Sequence, residues 1–211
     1  MRLLLAVLSA CVVAQAQIPA QDARNVNPPN TDTHFSPKTY KTLAEWQAHK
    51  EILRKQILSA AGLLPPFPKN DLRAQIFGRI ENRDYSIEKV LLETLPGYYL
   101  GVNLYRPLKP APPAGFPAVL SPHGHWNYGR LEHTDIASIP ARAINLARQG
   151  YVVFAYDMVG YNDTIQTPHD FGDKPAEQLW GFGPLGLQLW TCLSATSANA
   201  FSPTAPKRPS A

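Results

Sequence analysis

The chain carries AVLSPHGHW at residues 118–126 and YVVFAYD at residues 151–157. Each stretch includes a nearly continuous apolar run, which is typical of a strand covered on both faces. The segment between them predicts a helix over Pro140–Gln149, because Pro140 lies near its first turn and Gly150 follows its end. A strand, a helix and a second strand in this order predict a right-handed crossover in a parallel sheet.

Three shorter runs of strand character precede this pair: Gln75–Glu81, Tyr85–Thr94 and Tyr98–Arg106. The last two flank Leu95-Pro96-Gly97, where proline followed by glycine favours a tight turn. In the third run Leu100, Val102 and Leu104 alternate with Tyr99, Gly101, Asn103 and Tyr105, which predicts one buried and one partly solvated face. Antiparallel lead strands followed by parallel core strands predict an α/β fold.

The mature chain is expected to open with an extended lead-in and then a helix. Residues 17–41 are polar and show no apolar period until Thr42 and Glu45, which fit a capping box. Gly62 is placed to end the helix, and the Pro65-Pro66 pair prevents its continuation. We expect this helix to lie across the core as an N-terminal cover.

The first sixteen residues read as a secretory signal. Arg2, the apolar run Leu3–Val13 and the small-residue site Ala14-Gln15-Ala16 predict cleavage before Gln17 and export to the periplasm or the outside. A competing interpretation is a lipoprotein signal acylated at Cys11. The apolar run is too short for a spanning helix, so no stable membrane span is expected.

Charge and cysteine usage argue against a nucleic-acid-binding protein and against a disulfide-stabilised one. The formal net charge of +4 includes basic residues in the signal and in the C-terminal tail, so the body is close to neutral and nucleic-acid binding is not expected. Once the signal is removed, Cys192 is the remaining cysteine of the sequence, so the mature monomer is expected to have no internal disulfide.

The loop after the strand at Ala118–Leu120 is the predicted site. Ligands of open α/β sheets bind at the carboxyl ends of the strands, and Gly124 allows the backbone to approach a ligand closely. His123-Gly124-His125 resembles the His-Gly oxyanion loop of α/β-hydrolases, and residues 42–190 resemble the secreted acetyl xylan esterase and dienelactone-hydrolase-like branch, in its N-terminal portion. The resemblance implies Gly124 and His125 as oxyanion-loop residues, a downstream serine nucleophile and no cofactor.

A second resemblance follows the next strand. Tyr156–Tyr161 is similar to the D-x-x-G-x-G turn of the same superfamily, from which it departs at Tyr161, where the final small residue is missing. Asp157 either caps this turn through its own backbone contacts or contacts substrate. The predicted substrate contacts, for a small-molecule or carbohydrate ester, are His123, Trp126, Tyr128, Asp157 and Tyr161.

Two other interpretations stay open. His123 and His125 could bind zinc together with His133, His169, Asp157 or Asp163, provided that the loop turns sharply at Gly124. The aromatic and polar loop residues could instead contact sugar without catalysis; further members of this loop set are Asn127, Asn162 and Trp180.

The sequence carries no G-x-S-x-G, which is the elbow that presents the nucleophilic serine in this superfamily. Residues 183–190 look like the opening of the helix before that elbow. The composition then changes, since Thr191–Ala211 is dominated by Ala, Ser, Thr and Pro. We interpret this segment as a shifted reading frame or a disordered tail, so that the chain is a truncated hydrolase without its triad. Ser121, Ser138, Ser194 and Ser197 are not candidates for the nucleophile.

Overall fold

The computed structural model describes residue 26 and residues 28–197. The signal at 1–16, with Cys11, lies outside these residues. The described residues divide between two compact units, one that ends at Glu45 and one that begins at Trp46. In the first, the predicted capping box forms, because Thr42 Oγ1 accepts from the Glu45 N–H at 3.2 Å. The Glu45 carboxylate accepts from the Lys41 N–H at 2.8 Å.

The second unit is a mixed sheet with helices on both faces. Its strands are β1 (Gln75–Glu81), β2 (Tyr85–Leu95), β3 (Tyr98–Pro107), β4 (Ala118–Ser121) and β5 (Val152–Tyr156). The helices are α1 (Leu43–Ala60), which begins in the first unit, α2 (Ile139–Gln149), α3 (Pro175–Gln178) and α4 (Pro184–Ser197), with a 3-10 turn at Gly129–Leu131. None of the helices in the described part of the chain is long and apolar enough to cross a membrane.

The strands lie in the order β1-β2-β3-β5-β4. Three pairs are antiparallel, namely β1 with β2, β2 with β3 and β3 with β5. The remaining pair, β5 with β4, is parallel. The α/β prediction of antiparallel lead strands and a parallel core pair joined by a helix is therefore confirmed.

Both faces of β5 are covered. On one face Ala143 and Ala147 of α2 pack with Tyr105 and Val153. On the other, Ala195 of α4 packs with residues that include Leu100, Val102 and Phe154. Tyr105 is only 1% exposed, so the face of β3 predicted to be partly solvated is covered here by α2.

Helix α2 connects β4 to β5, and the loops that follow these two strands begin side by side. Ser138 caps its start by accepting from the Ala141 N–H at 3.2 Å, and Gly150 ends it in the left-handed region at a φ of 107°. The parallel register pairs Ser121 with Ala155, so the carboxyl ends of β4 and β5 lie side by side. The segments beginning at Pro122 and Asp157 therefore start next to each other.

Two expectations about helices are wrong. α1 has no buried residue, and Trp46 is 40% exposed, so α1 does not cover the core. Its apolar side chains form no continuous buried stripe, and only its last turn, at the half-buried Leu58, packs against a core cluster. α4 extends past the predicted boundary at Trp190 to Ser197, because small residues such as Ala195 fit closely against the sheet. The first seven residues of the predicted tail are thus helical, and residues 198–211 lie outside the described part.

Candidate functional site

His123 fixes the loop that follows β4. Its Nδ1 lies 2.6 Å from the Gly124 carbonyl oxygen, and its Nε2 lies 3.0 Å from the Met158 backbone nitrogen. Since a backbone N–H can only donate, Nε2 is the acceptor and the ring proton is on Nδ1. The imidazole is therefore neutral. Burial, together with the nearby Arg130 charge, lowers the pKa of His123 below 6.5.

This contact orients the peptide between Gly124 and His125. The Gly124 carbonyl oxygen accepts from His123 Nδ1 and from the Trp126 N–H at 2.8 Å. Because a trans peptide is planar, the N–H of His125 points away from that carbonyl. Within residues 28–197 the His125 N–H has no hydrogen-bond acceptor. The loop thus offers an oriented donor at the carboxyl end of β4, as an oxyanion site requires.

The rings of His125, Tyr161 and His169 pack against one another, and we call these three residues the ring cluster. The His125 and His169 centroids are 4.9 Å apart, and those of Tyr161 and His169 are 5.1 Å apart, both T-shaped. His169 Nδ1 donates to the Val159 carbonyl oxygen at 2.7 Å, which leaves Nε2 as the ring's remaining nitrogen. Tyr161 also makes a T-shaped contact with the His123 ring, with centroids 4.9 Å apart.

Asp157 lies beneath the two loops and has no exposed surface. One carboxylate oxygen accepts from the Arg130 N–H at 3.3 Å and from Asn162 Nδ2 at 2.9 Å. The other accepts from the Arg130 guanidinium and from the Asp163 N–H at 3.2 Å. The Arg130 guanidinium also pairs with the exposed Asp163 carboxylate. Asp157 therefore organises the turn, which is one of the two roles that the sequence left open, and its contact with substrate stays a prediction.

Two residues of these loops have left-handed backbone. Gly129 has a φ of 50°, and a Cβ there would lie 2.6 Å from Asn162 Nδ2 and 2.9 Å from His123 Nε2. Asn162 has a φ of 42°, a region that asparagine tolerates better than most residues. Asn162 occupies the final position of the D-x-x-G-x-G pattern, so the departure assigned to Tyr161 was misplaced by one residue.

The geometry does not support the zinc interpretation. Both nitrogens of His123 are occupied by protein partners. Asp157 is saturated by four donors, and His133 Nδ1 lies 2.8 Å from the Ser138 hydroxyl. No group of three or more potential metal ligands occurs among the described residues.

The remaining predicted contacts lie at different depths. Trp126 is half-buried, and its ring atoms would lie 3.3 Å from a Cβ placed on Gly124. The Tyr128 side chain is 67% exposed, while its carbonyl oxygen accepts from Asn162. Asn127 is exposed. Trp180 does not join the ring cluster and lines a separate cavity.

The serines have structural contacts. Ser121 Oγ accepts from Arg142 at 2.9 Å, and Ser138 caps α2. Ser194 lies buried within α4, away from any strand-to-helix turn. The side chain of Ser197 lies outside the described residues.

Arg130 is a residue of the site that the sequence did not predict. Its side chain is 6% exposed and is the cation paired with both Asp157 and Asp163. The available signal was an arginine in the loop between two core strands with two aspartates beyond the second. That signal is weak, because charged loop residues are usually solvated.

Comparison with known proteins supports the fold. No family model matches the chain, and no curated protein matches it. A solved methylesterase is 22% identical, with a TM-score of 0.55 over 75% of this chain and 34% of its own. A Bacteroides fragilis protein assigned as an acetyl xylan esterase is 17% identical, with a TM-score of 0.57 over 72% of this chain and 43% of its own. Over the matched part the chain thus shares the fold of these structures, and it spans less than half of their length.

Proposed function

We propose that this chain carries the oxyanion-loop portion of a carboxylic-ester hydrolase of the acetyl xylan esterase type, without the serine nucleophile. One observation carries the proposal: His123 Nδ1 binds the Gly124 carbonyl oxygen, and the His125 N–H of the same planar peptide points away from that oxygen. The two structures with a similar fold bear the names of a methylesterase and an acetyl xylan esterase, which supports ester chemistry.

The proposed role of the loop is to stabilise charge. Attack on an ester carbonyl creates an oxyanion, to which the His125 N–H is placed to donate as one of two donors. Losing a single donor of this kind typically lowers kcat by about 10²–10³-fold. In the mechanism implied by the family resemblance, a serine forms an acyl-enzyme that water then hydrolyses, and no cofactor takes part.

The proposed substrate is a small-molecule or carbohydrate ester. The ring cluster lies beside the loop, and aromatic faces suit stacking against sugar rings or an acyl group. His123 acts here as a positioning residue. Its neutral ring has no nitrogen left to exchange a proton with substrate.

The first test is an ester assay on residues 17–211. Because no residue of the sequence lies in a G-x-S-x-G elbow, we expect nitrophenyl acetate to be hydrolysed no faster than in buffer. Turnover that an organophosphonate abolishes would contradict the absence of a nucleophile. Turnover lost only to a chelator would revive the metal interpretation.

The second test concerns the coding DNA. We propose that the reading frame shifts near Trp190, and resequencing from the codon for Val153 onward, with translation of all three forward frames, tests this directly. A shifted frame that encodes a strand, G-x-S-x-G, an acid and a histidine supports the proposal. In that intact frame, His123→Ala is expected to lower kcat with little effect on KM, since the donor acts on the transition state.

A noncatalytic sugar-contact protein is the second candidate. The ring cluster favours it, because such a surface needs no nucleophile. Binding of a xylo-oligosaccharide with chemical-shift changes at His125, Tyr161 and His169, and without turnover in any frame, would favour this candidate over the esterase.

We also propose export with cleavage before Gln17. Mass spectrometry of protein recovered from periplasm and medium tests this. A mature N-terminus at Gln17 supports cleavage by signal peptidase. A diacylated N-terminus at Cys11 would assign the lipoprotein alternative, and an intact Met1 in the cytoplasm would contradict export.

A further inference from the structure

A cavity of about 360 Å³ lies apart from the ring cluster. It is lined by Gly62, Phe67, Phe171, Glu177, Trp180 and Phe182, and we call it the aromatic pocket. Four of its six lining residues are aromatic and one is a carboxylate. None is basic, and none belongs to the ring cluster.

The rings form walls at an angle to one another. Phe182 lies between two of the others: its centroid is 5.1 Å from Phe67, with planes at 85°, and 6.4 Å from Phe171, with planes at 51°. Trp180 is 85% exposed and forms the open side. The rings thus line one cavity that is open to solvent on part of its surface.

Two contacts position Phe67 and Phe182: a ring contact of Phe67 with Trp190 and a close backbone approach of Gly62 to Gly181. Phe67 also packs its edge on Trp190, with centroids 5.4 Å apart. Gly62 approaches Gly181 so closely that a Cβ would lie 2.0 Å from the Gly181 carbonyl oxygen. Only glycine fits this contact, which brings the end of α1 against the segment that carries Trp180 and Phe182.

Glu177 supplies a negative charge at the pocket. Its Oε2 accepts from the Gly172 N–H at 2.7 Å, and this bond lowers the pKa of the carboxyl below its usual value. The other oxygen, Oε1, lies 3.7 Å from Lys174 Nζ. That lysine side chain is 80% exposed, so the pairing is weak and is open to competition by a bound cation.

We propose that the aromatic pocket binds an organic ammonium group, either as a free quaternary amine such as choline or as the same group on a lipid. A cation within about 6 Å of a ring face is attracted by the ring quadrupole, and quaternary ammonium sites combine several such rings. The carboxylate adds a direct charge partner. A neutral sugar would use the rings but would gain no ionic attraction from Glu177.

The test is calorimetric titration of residues 17–211 with choline and with 3,3-dimethylbutan-1-ol, which has the same shape without the charge. We expect choline to bind at least about tenfold more tightly than the alcohol. This comparison uses the unaltered chain, so it does not depend on whether any variant folds. Equal binding of the two compounds, or binding of neither, would overturn the proposal.

Variants then locate the site. Glu177→Gln is expected to weaken choline binding about tenfold, and Trp180→Ala about fivefold. Glu81→Gln and Trp46→Ala, which alter a carboxylate and an indole outside the pocket, should leave the affinity unchanged. If the pocket variants bind choline like the controls, the pocket is not an ammonium site.

A vesicle arm distinguishes the two sources of the cation. If the chain sediments together with phosphatidylcholine vesicles and free choline releases it from them, the ammonium group belongs to a lipid headgroup. Choline binding without retention by those vesicles assigns it to a free amine. Equal retention on phosphatidylglycerol vesicles, unaffected by choline, would contradict ammonium recognition.

Discussion

Arg130→Met perturbs the buried ion pair that joins the two loops of the candidate site. The side chain of Arg130 is 6% exposed, and that of Asp157 is fully buried. Removing one partner of a buried pair typically costs about 3–5 kcal/mol. Asp157 keeps three donors, from the Arg130 N–H, the Asp163 N–H and Asn162 Nδ2. We therefore expect the lower end, about 3 kcal/mol, which is roughly a hundredfold change in the unfolding equilibrium.

Urea unfolding of residues 17–211, followed by circular dichroism, measures this loss. Arg148→Met is the matched control, because Arg148 and its partner Asp84 are 55% and 46% exposed and the pair is expected to contribute less than about 1 kcal/mol. Adding Asp157→Asn to Arg130→Met should restore part of the stability by removing the unpaired charge. Equal losses for Arg130→Met and Arg148→Met would refute the reasoning.

Three further predictions concern single groups. Gly129→Ala places a Cβ 2.9 Å from His123 Nε2 and should cost about 2 kcal/mol more than Gly115→Ala, which has a similar backbone but open space, as measured by urea unfolding. His123 has a pKa below 6.5 in the folded chain, so the unfolded chain binds more protons as pH falls through 6.5. The free energy of unfolding should therefore be flat above that pH with respect to this residue and should decrease below it, and His123→Gln should remove that part of the slope. Tyr98→Phe deletes a buried hydroxyl that has no hydrogen-bond partner within the described part of the chain, and it should raise the free energy of unfolding by about 1 kcal/mol. Tyr156→Phe loses a contact to Cys192 at 2.8 Å and should lower it.

Local patterns predicted the elements that surround the site. The apolar runs of β4 and β5, the helix between them and its Gly150 end all depend on residues within a few positions of one another. The capping box at Thr42 is equally local. The prediction that α1 covers the core was wrong, since α1 has no buried residue. An apolar period shows that a helix has an apolar face, but it does not show whether a partner lies against that face. Helix α4 continues past Trp190 because Ala195 packs on the sheet in spite of a composition typical of a tail, and the shift of the reading frame there stays a prediction.

The sequence by itself placed His123, Gly124 and His125 at the end of a core strand, since that placement follows from strand period and order. Only the tertiary structure decided what each group does there. The His123 ring is neutral and positions the loop, because the Met158 N–H, 35 residues away, donates to its Nε2. The ion pair of Arg130 with Asp157 and the aromatic pocket likewise join residues that are far apart in the chain. Hydrogen-bond partners and burial at that range are fixed only when the strands are paired and the loops packed, which no local pattern records.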